Sequence, residues 1–208
     1  MIPSIETPRL LLRPLELADA EQVQVLFPHW EIVQYMTRKV PWPYPPDGAY
    51  RFYQEVALPA VERGDAWHWT VRLRTDPDRL VGSISLITEK DNRGFWMGLP
   101  WQRQGFMSEA SEAVTDYWFD ALRFPLLRVS KAIANAGSRR ISEKQGMRIV
   151  GTEQREYVSG RWPTEDGRLP PMNGVRASAR NDSWPFQPHL FPLANSRHHD
   201  FRKLLSAQ

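Results

Sequence analysis

The octapeptide AWHWTVRL, Ala66 to Leu73, places Trp67, Trp69, Val71 and Leu73 on one side of the chain at a spacing of two. That repeat belongs to an extended strand, and a strand with one apolar face belongs in a sheet with a layer packed over it. The next segments provide neighbours. RLVGSISLI (Arg79–Ile87) is short, β-branched and bounded by the turn TDPD, and RGFWMGL (Arg93–Leu99) stops at Pro100. Upstream, RLLLRPL (Arg9–Leu15) reads as a short strand closed by Pro14. The succession predicts an antiparallel meander.

Helical periodicity surrounds it. ELADAEQVQVLF (Glu16–Phe27) carries Val23, Leu26 and Phe27 on one face. In VPWPYPPDGAY (Val40–Tyr50) the prolines exclude a central strand or helix interior. Asp47 is placed to cap a helix to about Arg63, which Pro59 should kink or shorten. A turn carrying Gly105 opens a helix to about Leu122, with Ala110, Ala113, Val114, Tyr117, Trp118 and Ala121 as one apolar stripe. LLRVSKAIA (Leu126–Ala134) predicts a strand and AGSRRISEKQG (Ala136–Gly146) a short helix ended by Gly146. MRIVGTEQREYVSG (Met147–Gly160) predicts a last strand bent at Gly151. The strand–helix–strand crossover sets Arg93–Leu99 parallel to Leu126–Ala134. Gly105 then lies at the carboxyl end of a strand, the edge that ligands favour in open α/β sheets. The fold class is α/β, with a mixed α+β sheet.

The 208 residues suit one domain with an appendage. Residues 1–165 read as the domain. Residues 166–208 contain five prolines and no sustained period, and read as an irregular Pro/Arg-rich extension. The extension holds six basic and three acidic residues, and residues 1–165 hold 21 of each, so the net charge of +3 lies in the extension. A basic nucleic-acid-binding face is not indicated for the body of the protein. The chain has no Cys, which excludes a disulfide framework, a thiolate metal site and a cysteine nucleophile. MIPSIETPRL lacks a basic region followed by an apolar run, and no stretch approaches membrane-spanning length. The expectation is a cytoplasmic protein without a membrane partner.

WQRQGFMSEA, Trp101 to Ala110, concentrates the functional signal. A helix start offers free N–H groups and the positive end of a dipole to an anion, and Gly105 permits a backbone that other residues resist. Glu109 complements the dipole but would repel a nearby anion. From this stretch alone an ordinary glycine turn is the favoured reading.

The wider run is more specific. GFWMGLPWQRQGFMSEA, followed about 30 residues on by NAGSRRISEKQGM, resembles the GCN5-related N-acetyltransferase (GNAT) superfamily, most closely its RimJ/RimL-like ribosomal-protein N-acetyltransferase branch. ETPRLLLRPL, VPWPYPPDGAYRF and EYVSGR fit the same branch, so the resemblance covers roughly residues 5–165. It implies the GNAT fold, an antiparallel meander followed by a splayed parallel strand pair with helices on both faces, and acetyl-CoA as co-substrate. It implies that the amides of Gln102, Arg103, Gln104, Gly105, Phe106, Met107 and Ser108 wrap the coenzyme pyrophosphate. Met107 stands where the superfamily pattern has Gly or Ala. It further implies that Met97, Gly98 and Leu99 pair with the pantetheine arm and that Asn135 hydrogen-bonds to it. Ser138 lies near the thiol, where a hydroxyl protonates the departing thiolate, and Glu156 falls where close members carry a catalytic glutamate. Relatives continue with a further strand, which DGRLPPMNG is not expected to form.

Each assignment has a plainer counterpart. Asn135 reads as a helix cap, Ser138 as a first-turn serine bonding its own backbone, and Glu156 as an exposed strand carboxylate. Arg139, Arg140 and Lys144 read as coenzyme contacts or as a solvated helix face. Glu89 and Asp91 are weaker candidates for a base, and His68 between two tryptophans reads as structural. The aromatic stretch Trp42–Tyr53 lines an acceptor pocket or packs the core. His198 and His199 make no ligand set, and no metal site is expected. The reading is direct acetyl transfer to a primary amine, either a protein N-terminus or a small molecule. A non-catalytic acyl-CoA-binding or protein-interaction module, and a nucleic-acid binder using the basic tail, are the alternatives. A homodimer stays open.

Overall fold

The computed structural model describes residues 2–89 and 91–169, with side chains as far as residue 160. Leu10 and Leu12 are fully buried while Leu11 between them is not, as expected of a strand packed on one face. This strand, β2 (Leu10–Pro14), pairs with a two-residue β1 (Ile5–Glu6). Leu17–Asp19 then forms a 3-10 turn into α1 (Ala20–Leu26), followed by α2 (Trp30–Val33), α3 (Gly48–Phe52) and α4 (Leu58–Glu62). Tyr53–Ala57 joins α3 to α4 as a π-helical turn. The helix expected up to Arg63 is thus continuous but widened just ahead of Pro59, whose missing N–H disrupts a regular turn. Asp47 occupies the cap position without a side-chain cap bond.

The meander follows as β3 (Ala66–Leu73), β4 (Asp76–Ile87) and β5 (Arg93–Met97), and the sheet order is β1-β2-β3-β4-β5, antiparallel throughout. β4 starts inside the expected turn TDPD. Register shifts at Arg72 leave Pro77–Arg79 as a bulge, because buried Arg72 donates to the carbonyls of Pro77 and Asp78 at 3.0 and 2.7 Å. β5 ends at Met97, two residues earlier than expected, because Leu99–Trp101 turns into a 3-10 segment. α5 (Phe106–Asp116) continues as a π-helical turn, Tyr117–Ala121. Its buried face is Phe106, Met107, Ala110, Ser111, Val114 and Thr115, so Ala121, expected in the apolar stripe, is exposed instead. The head of the helix enters the core, and that rotates the stripe.

β6 (Leu127–Ala132), α6 (Ala136–Lys144), β7 (Arg148–Tyr157) and β8 (Gly160–Leu169) complete the described chain. β8 lies between β6 and β7 and is antiparallel to both, so β6 and β7 run parallel to each other. The expected bend in β7 is a register shift between Ile149 and Gly151. The expectation that DGRL could not join a strand is corrected, since Asp166–Leu169 pairs with Leu127–Ser130. Pairing to β6 ends at Thr164, so Pro163 falls where β8 has one free side and a missing N–H is tolerated. Residues 170–208, the rest of the expected extension with His198 and His199, lie outside the described residues.

β5 and β6 touch at one end and then part. Asn92 N–H donates to the Arg128 carbonyl at 2.7 Å, and Asn92 Oδ1 accepts from Arg128 N–H at 2.8 Å. Further along, neither strand bonds to the other's backbone among the described residues. This is the expected splayed pair. One apolar cluster (Trp69, Val71, Ile84, Val114, Trp118, Val129 and others) fills the space under α5, and a second (Val23, Phe27, Val33, Tyr53, Leu80) packs α1 and α3 on the opposite face. Helices therefore cover both faces. Among the described residues no helix is long and apolar enough to cross a membrane.

The second face carries a buried ion pair. Asp19 accepts from Arg72 and from Arg13, each at 2.5 Å, and Asp19 and Arg72 are both almost fully buried. Removing one partner strands the other's charge, so Asp19→Ala should cost about 3–5 kcal/mol. Urea unfolding checks this value. Beside it, burial lowers the His68 pKa from 6.5 to about 4. The unfolded chain then binds a proton that the native state refuses. Stability should be complete above pH 6.5 and fall by up to roughly 3 kcal/mol as pH drops towards 4. His68→Gln should flatten that slope in urea midpoints measured at pH 7 and pH 5.

Candidate functional site

The loop that leaves β5 is shaped by two left-handed residues. Arg103 has φ 63° and Gly105 φ 82°. An added Cβ at Gly105 would also sit 3.3 Å from Arg9 Nη2. Left-handed residues next to right-handed ones are the backbone pattern from which anion-binding concavities are built. The first helical bond of α5 runs from Glu109 N–H to the Gly105 carbonyl at 3.1 Å. The N–H groups of Arg103, Gln104, Gly105, Phe106, Met107 and Ser108 donate to no acceptor among the described residues. Six consecutive free amides therefore stand at the positive end of the α5 dipole. Gln104 and Gln102 spend their side chains on the loop itself, donating to the Pro100 carbonyl at 2.8 Å and the Met97 carbonyl at 2.9 Å.

Arg9, which the sequence pattern did not single out, braces this loop. Its guanidinium donates to the Gln104 carbonyl at 3.0 Å, pairs with Glu109 at 2.7 Å and lies 4.6 Å over the Phe106 ring. Glu109 also accepts from Thr7 Oγ1 at 2.6 Å and from Arg9 N–H at 2.9 Å. Partial burial works against ionisation, but these hydrogen bonds hold its carboxyl below the usual range. The charge that would repel an anion is thus matched by Arg9. Met107 is accommodated because its side chain packs into the core under α5, leaving its N–H in the loop.

The edge of β5 completes one wall. Ile87 N–H donates to the Asn92 carbonyl and Gly98 N–H to the Val81 carbonyl, so the even-numbered residues face β4. Phe95 and Met97 then turn their backbone groups towards the splay, where the Met97 carbonyl already accepts from Gln102. Gly98 is turned towards β4 and Leu99 lies in the following 3-10 turn, so of the expected Met97–Leu99 edge only Met97 is a strand residue facing the gap. Across the gap, Asn135 caps α6 by accepting from Ser138 N–H at 3.1 Å. Ser138 Oγ accepts from Lys131 Nζ at 2.8 Å, and Lys131 Nζ lies 4.8 Å from the Phe95 ring centroid. Lys131 also went unmarked in the sequence, where SKA reads as ordinary strand. Arg139 pairs with Glu143 at 3.3 Å, and Arg140 and Lys144 are exposed, as a solvated helix face requires.

Glu156 and Ser138 lie at the same carboxyl edge, because β6 and β7 are parallel, yet they have different partners. Glu156 pairs with Arg38 at 3.0 Å with its side chain 46% exposed, and the segment Gln34–Arg38 runs along its strand. Asp91 is held by Arg155 at 2.5 Å and by the Ser130 hydroxyl, and Glu89 is exposed. The aromatic stretch divides. Tyr53 is buried and Tyr44 packs edge-on to Phe27 at 5.2 Å, whereas Trp42 and Phe52 are more than two-fifths exposed, Trp42 lying 5.5 Å from Trp30. Among the described residues no group of His, Asp and Glu could hold a metal ion.

Residues 9–148 match the acetyltransferase (GNAT) domain family. The "Probable N-acetyltransferase YjcK" of Bacillus subtilis (strain 168) is 27% identical over 117 residues, which are 53% of this chain and 62% of that protein, less than two thirds of its length. The ribosomal-protein-S5-alanine acetyltransferase of Vibrio fischeri superposes with a TM-score of 0.70 at 16% identity, over 82% of this chain and 98% of that one. RimL, a ribosomal L7/L12 α-N-protein acetyltransferase solved in complex with coenzyme A, gives 0.69 at 15% identity, over 81% and 98%. With most of the chain matched by the family and the splayed sheet and amide-lined loop in place, this protein belongs to the GNAT acetyltransferase family.

Proposed function

We propose that the protein transfers the acetyl group of acetyl-CoA directly to a primary amine, a protein N-terminus or a small molecule. The observation that carries this reading is the run of six free amides at the head of α5, braced by Arg9 and set beside an unpaired strand edge. A pyrophosphate suits such a cradle, since it accepts several N–H bonds and carries the charge that a helix N-terminus favours. Met97 and Phe95 offer the β5 edge to the pantetheine amides. Coenzyme A in the RimL complex supports the same assignment for this chain. The ribosomal-protein acetyltransferases among the structural neighbours support an N-terminal amine as one acceptor class.

The amine must lose a proton before it attacks. Glu156 is the base in this reading, its half-exposed carboxylate at the end of β7 being within reach of solvent and paired with Arg38. Ser138 supplies the proton for the departing thiolate. With no Cys in the chain, the commonest covalent acyl carrier is absent and a ternary complex is the simpler route.

Two substitutions test the two halves of the site. Gly105→Val forces a β-branched residue into a left-handed backbone and should weaken acetyl-CoA at least ~10-fold, about 1.4 kcal/mol, by calorimetry on the folded variant. Unchanged affinity would remove the loop from coenzyme binding. Glu156→Gln should lower kcat roughly 10²-fold with acetyl-CoA affinity little changed, and higher pH should partly restore the rate by supplying neutral amine. Losing an exposed Arg38 pair costs about 1 kcal/mol or less, so the fold should survive. Full turnover in this variant would exclude Glu156, and absence of turnover in the unmodified protein with every acceptor tried would favour a non-catalytic coenzyme binder.

A further inference from the structure

Lys131 is placed unlike the other lysines of the described chain. Asn92 and Arg128 face each other where β5 and β6 touch, and three residues on along each strand stand Phe95 and Lys131. The Lys131 ammonium therefore lies in the mouth of the splay, against the Phe95 ring and 2.8 Å from Ser138 Oγ. It is partly buried, and it makes no ion pair among the described residues. Asp91 is the carboxylate that acts on it, but Asp91 is held by Arg155 at 2.5 Å. Arg93 on β5 acts on it as well, Arg139 on α6 and Arg148 on β7 line the same cleft, and Glu143 on α6 is already paired with Arg139.

The direction of the hydrogen bond matters. A protonated amine only donates, so Ser138 Oγ must accept from Lys131, and the serine's own hydrogen is left to point elsewhere. We propose that Lys131 is a positioning and proton-supplying residue for the reaction: it turns the Ser138 hydrogen towards the departing thiolate and replaces that proton as it leaves. The inference rests on the acetyl-transfer reading given above. In balance, the acceptor nitrogen forms the new C–N bond and loses its proton to Glu156 or water. The C–S bond breaks with its electron pair on sulfur. Sulfur takes the Ser138 proton, Ser138 Oγ takes one from Lys131 Nζ, and water reprotonates the partly exposed Lys131. Burial lowers the Lys131 amine to about 7, with Arg93 adding to the shift and Asp91 opposing it, so the group can both give up and regain a proton near neutral pH.

The test is the pH profile of kcat at saturating acetyl-CoA and acceptor. In the unmodified protein the rate should rise with pH as the acceptor is deprotonated, then fall as Lys131 loses its proton. Lys131→Met should lower kcat at least ~10-fold near neutral pH and remove the falling limb, with the KM for acetyl-CoA unchanged. Lys131→Arg keeps a cation and a donor but stays protonated, so it should fold, bind acetyl-CoA normally and show a lowered rate without the falling limb. A falling limb that persists in both variants would overturn the assignment. So would acetylation of Lys131 itself, read by peptide mass, because the residue would then be an acceptor. Unmodified protein that binds acetyl-CoA but acetylates no amine would instead overturn the acetyl-transfer reading, and the inference with it.

Discussion

The gap between β5 and β6 depends on how Asn92 joins the two sheets. Its side-chain amide donates to the carbonyls of Ile87 and Glu89 at 3.0 and 2.7 Å, while its Oδ1 takes the Arg128 N–H. One of the two bonds that join β6 to the residue ahead of β5 is thus made by a side chain, so the contact does not start a backbone ladder. The strands begin as neighbours and cannot continue as such. Two unpaired strand edges are the result, and an unpaired edge inside a protein calls for an extended partner with amides of its own. Asn92 is buried with all its polar groups satisfied, so the parting is fixed in the fold.

Much of this was legible in the chain. The spacing of two in Ala66–Leu73 and the proline stops at Pro14 and Pro100 located the meander, and Gly105 located the loop. Gly146, also left-handed at φ 76°, closed α6 as its position implied. What escaped has a common physical cause. β8 carries no apolar alternation and is held by bonds to a strand on each side, which only the assembled sheet supplies. The rotated face of α5 follows from its head being drawn under the sheet, so Met107 is core and Ala121 is not. The bulge at Pro77–Arg79 satisfies the guanidinium of buried Arg72, whose burial the turn residues alone do not reveal.

The site shows the same division. Backbone roles could be read locally, because a glycine and a helix start lie next to each other in sequence. Side-chain roles could not, since each depends on a partner from elsewhere. Arg9 acquires meaning through Gln104 and Glu109, and Lys131 through Phe95 and Ser138. Met107 departs from the family's small residue, and its side chain is directed into the core rather than into the loop.

The brace on the anion loop spans nearly half the chain. Thr7 and Arg9 bond to Glu109, and Arg9 to Gln104, across separations of 95 to 102 residues. Contacts so distant along the chain close a large loop and form only when the sheet between them is already assembled. During synthesis the N-terminal hairpin emerges first and must wait for its partner. The brace on the loop therefore cannot close until β2 lies beside β3, so the shape of the loop is tied to the assembly of the sheet.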